Sequence, residues 1–308
     1  MVSTEDVFLI MITGELIAGI LGNGYIGLVN CIDWMKKRRI SSLDYILTTL
    51  AISRIFLIGS MALNGILLVL NPDIYANLKV QIVLFSSWTL FNYFSMCLAM
   101  CLNVFYFLKV ASFSHPLFLW LKWRIDRMIH WIVLGCFAIS LLVGFTMVIV
   151  MSYNDRAYDV PSQKLSNPEM FNVSKSQRFE PITLFNLLAM IPFTVSLISV
   201  FCFIISLWRH IKQMKCNATG YRDPGTEPHV RAMKMLTLFL FFFFIYCVFS
   251  LFITFSYLIQ EQKLAMLFGE IITILYPLGH SLILIVGNNK LRQALIRMLM
   301  CRKIVRVM

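Results

Sequence analysis

Tyr45–Leu70 reads YILTTLAISRIFLIGSMALNGILLVL, a run in which Arg54 is the single formal charge. At about 1.5 Å per residue, such a run crosses the ~30 Å hydrocarbon layer of a bilayer as one helix. Six further runs share its character: Val7–Ile32, Ile82–Leu108, Met128–Met151, Pro181–Leu207, Met235–Ile259 and Leu264–Val286. They are too long and too uniformly apolar for the strands of a membrane barrel, which alternate over about 10 residues. Formal charge inside the seven runs is confined to Glu15, Arg54 and Glu270. The prediction is an all-α membrane protein, a seven-transmembrane helix bundle. The first run is long and lacks a basic start, so it is expected to serve as its own targeting signal.

The composition points the same way. Of 308 residues, 59% are hydrophobic and 14% charged. The mean hydropathy is +0.78. A soluble domain is about 45–50% apolar and about 25% charged. There is too little charge here to cover a water-facing surface, which excludes a soluble enzyme and a disordered scaffold. The 26 Phe and 18 Met suit lipid-facing and adaptable packing.

The net charge of +12 raises the question of nucleic acid, and its distribution answers it. Twenty of the 27 Lys and Arg residues fall on one side of the spans and six on the other, with Arg54 inside. The basic side is expected to be cytoplasmic, with the N-terminus outside and the C-terminus cytoplasmic. Counting acids too, the inner face stands near +15 and the outer near −2. The positive charge then faces membrane lipids and a cytosolic partner, with no nucleic acid. Residues 1–287 are expected to form the transmembrane domain. Residues 288–308 are expected to form a short basic cytoplasmic tail that an amphipathic helix would suit.

On this topology Asn172-Val173-Ser174, in the long outer loop, is a glycosylation sequon on the lumenal side. Asn217-Ala218-Thr219 lies in the third inner loop, where it is expected to stay unmodified. All eight cysteines fall in spans or inner segments, so no outer disulfide is expected. Cys97 and Cys101 sit four apart on one helical face and are expected to be small buried thiols rather than metal ligands. No catalytic signature, metal motif or cofactor motif is present, and no internal repeat.

Polar groups inside the spans carry the functional signal, because a charge at the bilayer centre costs about 2.5–3.5 kcal/mol on insertion scales. Arg54 lies about nine residues, roughly 14 Å, from the inner end of its span. Asn23 is at a similar depth, and Ser281 follows Pro277 in the seventh span. Pro277 leaves a carbonyl without its donor, and a guanidinium has five donors to offer. Arg54, Asn23 and Ser281 are expected to form one polar network tying spans one, two and seven, serving either architecture or a switch. In the outer halves, Trp88 and Asn92 lie one turn apart on one face, Glu15 and Glu270 lie about 9–12 Å below the surface, and Tyr246 follows Phe241–Phe244. An outward-open cavity with an aromatic wall, an amide and a carboxylate is expected. Two function classes fit: a receptor for small organic compounds, or a secondary transporter or proton pathway using Glu15, Arg54 and Glu270. Against the transporter, the halves show no paired repeats.

Seven spans with an outside N-terminus and basic inner loops are similar to a G-protein-coupled receptor. Two marks of the rhodopsin-like class are missing: Tyr106 stands in Phe105-Tyr106-Phe107 where a DRY triplet would be, and span seven has no NPxxY. Leu50-Ala51-Ile52-Ser53-Arg54, Phe105 to Ala111, Ser114-His115-Pro116 and His280-Ser281-Leu282-Ile283-Leu284 stand in register along the chain. Through them the sequence resembles a bitter taste receptor of the type 2 taste receptor family. The span-five signature LxxSL followed by HxxxM appears as Phe203–Leu207 and His210–Met214, with Phe203 in place of the leucine.

The resemblance implies a plasma-membrane receptor, not an enzyme, that binds small bitter compounds in an outer-half cavity onto which Trp88, Asn92, Tyr246 and Glu270 map. It implies coupling to a gustducin-type heterotrimeric G protein from the inner face. Tyr106 and Lys109 end span three, and His210 and Lys215 carry span five into the cytosol, so these four are expected at the coupling surface. Asn172 matches the family's outer-loop glycosylation position.

Overall fold

The computed structural model describes residues 4–110, 116–158, 167–217, 227–256 and 262–305. The side chains of Asn172, His210, Lys215 and Glu270 lie outside the described set. The described chain forms α1 (Thr4–Lys37), α2 (Ser42–Leu70), the one-turn α3 (Pro72–Tyr75), α4 (Leu78–Val110) and α5 (Pro116–Tyr158). It continues through α6 (Asn167–Asn217), α7 (Glu227–Ser256), α8 (Gln262–Gly287) and α9 (Asn289–Val305). There is no strand among the described residues.

Among the described residues, six helical segments each contain a window long and apolar enough to cross a membrane: Asp6–Lys37, Ser42–Leu70, Leu78–Lys109, Phe118–Tyr153, Glu180–Arg209 and Thr237–Phe255. Within its described residues α8 adds a shorter apolar stretch, Thr273–Gly287. The architecture is an all-helical bundle consistent with seven spans. Several helices overrun their apolar runs. The fifth helix is 43 residues long and starts at Pro116, three turns before the apolar run begins at Met128. Each residue added to an existing helix gains a backbone hydrogen bond, so polarity limits the membrane-embedded stretch and not the helix.

The helix ends follow local chemistry. Ser41 caps α2, its hydroxyl accepting from the Asp44 amide at 3.1 Å. The Asn288 side chain accepts from the Lys290 and Leu291 amides at 3.0 and 3.3 Å, separating α8 from α9. Arg38, with φ of 55°, closes α1 in a left-handed conformation as its amide donates to the Trp34 carbonyl at 2.8 Å.

Much of the bundle's outer surface is apolar: Ile10, Leu21, Leu142, Phe145, Leu187 and Phe201 are each more than 60% exposed, as lipid-facing positions should be. Hydroxyls in the spans are largely satisfied within their own helix, for example Thr49 on Tyr45, Ser140 on Cys136 and Thr273 on Gly269. In hydrocarbon each such group must find a partner, and the carbonyl four residues back is nearest. Cross-helix bonding is thereby left mainly to amides, a guanidinium and a few hydroxyls.

The fourth helix is central and packs against α2, α5 and α6, while α1 packs on α2 and α8, and α7 lies along α8. Small residues allow the last approach. Ile253 of α7 rests on Gly269 of α8, where a Cβ would meet it at 2.6 Å, and Met235 of α7 fills the space over Gly287 at the other end of the seam.

Candidate functional site

At the end of the bundle where α1 begins, a cavity of about 150 Å3 opens between α2, α4, α6, α7 and α8. Met61, Leu84, Phe85 and Trp88 give it an apolar wall; Asn64, Gln81, Ser250 and Thr273 supply polar atoms. The Trp88 ring is held by Phe185 of α6 at 4.7 Å and by Phe85 at 5.4 Å, centroid to centroid. Ser250 is fixed by a clasp between α6 and α7. Its hydroxyl donates to the Asn186 carbonyl oxygen at 2.6 Å, and the Asn186 amide donates to Thr254 Oγ1 at 2.6 Å.

Asn92 and Tyr246 are brought together below this cavity and do not line it. The Asn92 amide donates to the Tyr246 phenol oxygen at 2.8 Å, bridging α4 and α7 in a buried position. The Tyr246 ring meets Tyr276 of α8 at 5.1 Å, and Tyr276 stacks on Phe243 at 5.2 Å. Phe243 leads to Phe239 at 5.7 Å and Phe239 to His280 at 4.3 Å. Helix periodicity explains this column. Ile253, Ser250, Tyr246, Phe243 and Phe239 step by three or four and share one face of α7. Trp88, Asn92 and Ser95 stand at i, i+4 and i+7 on α4.

The column ends on Arg54, which is fully buried. Its Nη1 donates to Ser281 Oγ at 3.1 Å and its Nε to Ser95 Oγ at 3.4 Å, and Nη2 bonds His280 Nδ1. A guanidinium only donates, so His280 Nδ1 accepts and the imidazole carries its proton on Nε2. Ser281 Oγ lies 2.7 Å from both Asn23 Oδ1 and the Pro277 carbonyl, and the Asn23 amide donates to the Gly19 carbonyl at 2.9 Å. Arg54, Asn23 and Ser281 thus form one connected group across α1, α2 and α8, to which Ser95 adds α4. Arg54 reaches side chains and not a carbonyl released by Pro277. Among the described residues no carboxylate bonds to it, so a buried cation is held by neutral groups. Glu15, half-buried on α1, keeps one carboxyl oxygen without a hydrogen-bond partner.

At the opposite end, Lys109 pairs with Asp126 of α5 and lies over the Phe105 ring, 5.4 Å from its centroid. Tyr106 is half-buried against the core. Lys290 bridges Asp33 of α1 at 2.8 Å and Asp44 of α2 at 3.0 Å, and the Tyr25 phenol donates to the Leu291 carbonyl at 2.7 Å. These bonds pin the start of α9 beneath α1 and α2. The coupling candidates His210 and Lys215 lie outside the described side chains, as do the ligand candidate Glu270 and the sequon residue Asn172.

Sequence reasoning missed Asn186, Ser95 and the bridging role of Lys290. Asn186 did leave a signal, as the only amide in the run Pro181–Leu207. Ser95 left none, because a span serine ordinarily bonds its own helix. Cys101 and Cys136 approach to 3.5 Å between α4 and α5. Among the described residues no group of three or more His, Cys, Asp or Glu is placed to hold a metal ion.

The family model for taste receptor protein (TAS2R) matches residues 1–303. Taste receptor type 2 member 8 of Homo sapiens is 62% identical over 300 residues, covering 97% of each chain. Its Pan paniscus counterpart matches to the same extent. Taste receptor type 2 member 7 of Papio hamadryas is 47% identical over 295 residues, 96% of this chain and 93% of its own. These relationships do not support the transporter reading. The chain belongs to the TAS2R taste receptor family and is a multi-pass receptor of the cell membrane, not an enzyme.

Proposed function

We propose that this receptor binds small, largely apolar bitter compounds in the cavity walled by Trp88 and activates a gustducin-type heterotrimeric G protein from the opposite, basic end. The observation that carries the reading is the cavity at one end of the bundle, joined to the buried Arg54 by a continuous column of side chains on α4, α7 and α8. The N-terminus is outside and the C-terminus cytoplasmic, supported by the concentration of Lys and Arg at one end. Residues 1–287 form the receptor domain and 288–308 the basic tail.

A cavity of about 150 Å3 holds a single ring without rearrangement, and larger compounds must displace its wall. Asn92 and Tyr246 act beneath it, as the first link of the column that leads to Arg54. Glu270 supplies a carboxylate in the outer half of its span, and Asn172 carries the outer-loop glycan. Tyr106, Lys109, His210 and Lys215 meet the G protein. For Lys109 this entails exchanging Asp126 for the partner. The test is a panel of bitter compounds applied to cells carrying a suitable G protein, read as calcium release. Agonist-dependent responses that need the G protein support the reading, and substrate flux without them contradicts it.

A further inference from the structure

The chain has six tryptophans, and they are unevenly placed. Trp88 faces the cavity. The other five, Trp34, Trp120, Trp123, Trp131 and Trp208, all lie at the basic end of the bundle: at the end of α1, in the first turns of α5, and toward the end of α6. All five are exposed, and Trp123, at 84%, is the most exposed large apolar side chain among the described residues.

The first turns of α5 hold the densest group. Trp120, Arg124, Arg127 and Trp131 stand at i, i+4, i+7 and i+11, so they form one stripe along the helix. All four are exposed, while Ile125, Ile129 and Val133 on the opposite side are buried in the bundle. The Arg124 guanidinium lies over the Trp120 ring, 5.0 Å from its centroid. The acid of this segment, Asp126, is taken by Lys109. Among the described residues no ion pair involves Arg124 or Arg127. Among the described residues, then, two cations without an ion-pair partner are bracketed by two indoles on an exposed face of the helix.

Depth selects the partner. The apolar run of this helix begins at Met128, so Arg127 and Arg124 sit just outside the hydrocarbon, at the level of phosphates, and Trp131 just inside it. An indole prefers that boundary, and a guanidinium pairs with phosphate oxygens through two parallel bonds. We propose that the Trp120–Arg124–Arg127–Trp131 stripe is a binding site for the headgroup of an anionic phospholipid. The receptor thereby holds specific lipid at the start of α5 and does not merely repel or attract the leaflet as a whole.

The full-length receptor, purified in detergent, is equilibrated with mixed micelles of phosphatidylcholine and phosphatidylserine. Retained lipid is then quantified by mass spectrometry, with no agonist and no G protein present, so the outcome is independent of the receptor reading. The wild type is expected to enrich phosphatidylserine, and Arg124→Gln with Arg127→Gln to lower that enrichment roughly tenfold or more. Trp120→Leu with Trp131→Leu should weaken it with both arginines in place. These are surface changes, and an unchanged elution profile shows that the variants fold. Undiminished enrichment in the arginine double variant overturns the proposal. So does an equal loss in Lys36→Gln with Arg39→Gln, which would make any basic surface sufficient. Displacement of the lipid by an equimolar amount of free inorganic phosphate would also overturn it, because the site would then recognise phosphate without its lipid.

Discussion

Arg54 and Ser281, 227 positions apart in sequence, are joined by a 3.1 Å hydrogen bond at the centre of the bundle, and every hydrogen-bond partner of that arginine among the described residues is neutral. A buried guanidinium without a counter-charge is tolerable only when its donors are spent on hydrogen bonds. Arg54→Ala leaves Ser95, Ser281 and His280 short of a donor, at about 1–3 kcal/mol for each group left unsatisfied. The expected outcome is a large fall in thermal stability in detergent and in surface expression. Arg54→Lys should recover only part of the loss, because an ammonium lacks the planar fork that spans three partners. Wild-type stability and full signalling by the alanine variant would show that the group does not hold the helices together.

The Asn92–Tyr246 bond gives a sharper test, since both groups are buried and each is the other's partner. Tyr246→Phe strands the Asn92 amide and is expected to cost about 1–3 kcal/mol. Adding Asn92→Ala removes the stranded group, so the double variant should be less destabilised than the two singles summed, by about 1 kcal/mol. A thermal double-mutant cycle reads this directly. Additive singles would mean that the bond contributes nothing.

Much of the bundle was legible because its physics is one-dimensional. Tyr45–Leu70 declares a span through length and apolarity alone, and Arg54 stands out because a lone charge in such a run demands partners. Trp88 and Asn92 were placed on one face by spacing. What spacing cannot give is which helix that face meets. Ser95 extends the same face by three residues, yet only the packing of α4 against α2 turns it toward Arg54 and away from its own backbone. In the sequence Lys290 is one more basic residue near the membrane, and its bridge to Asp33 and Asp44 depends on how α9 turns beneath the bundle. The cavity lining was hidden for a related reason: Asn64, Gln81 and Thr273 converge from three helices, and none is conspicuous in its own segment.

Gly269 sets one wall of the cavity. A methyl group there would fall 2.6 Å from Ile253 Cγ1, and Ile253 itself lines the cavity. Gly269→Ala is expected to push that side chain into the ligand space. Bulky agonists should lose about tenfold in potency while single-ring agonists lose little, as overpacking of about 1–3 kcal/mol is spread between wall and ligand. Equal shifts for small and bulky agonists in a dose–response panel would argue that α7 and α8 have separated instead.

Topology has its own assay. Asn172→Gln should abolish a glycosidase-sensitive mass shift, and Asn217→Gln should leave it intact. A glycan on Asn217 would invert the orientation and place the cavity in the cytosol.

The most direct test joins the cavity to the G protein in one preparation. Purified receptor in nanodiscs is titrated with agonist, and binding and nucleotide exchange on the G protein are measured side by side for the wild type and for Trp88→Ala. Removing the indole takes away the cavity's largest aromatic surface. Binding and exchange should shift together to about tenfold higher agonist concentration, with the maximal exchange rate preserved once the site is saturated. Unchanged binding and exchange curves in Trp88→Ala, for agonists of unrelated chemistry, would place the agonist site elsewhere and contradict the account.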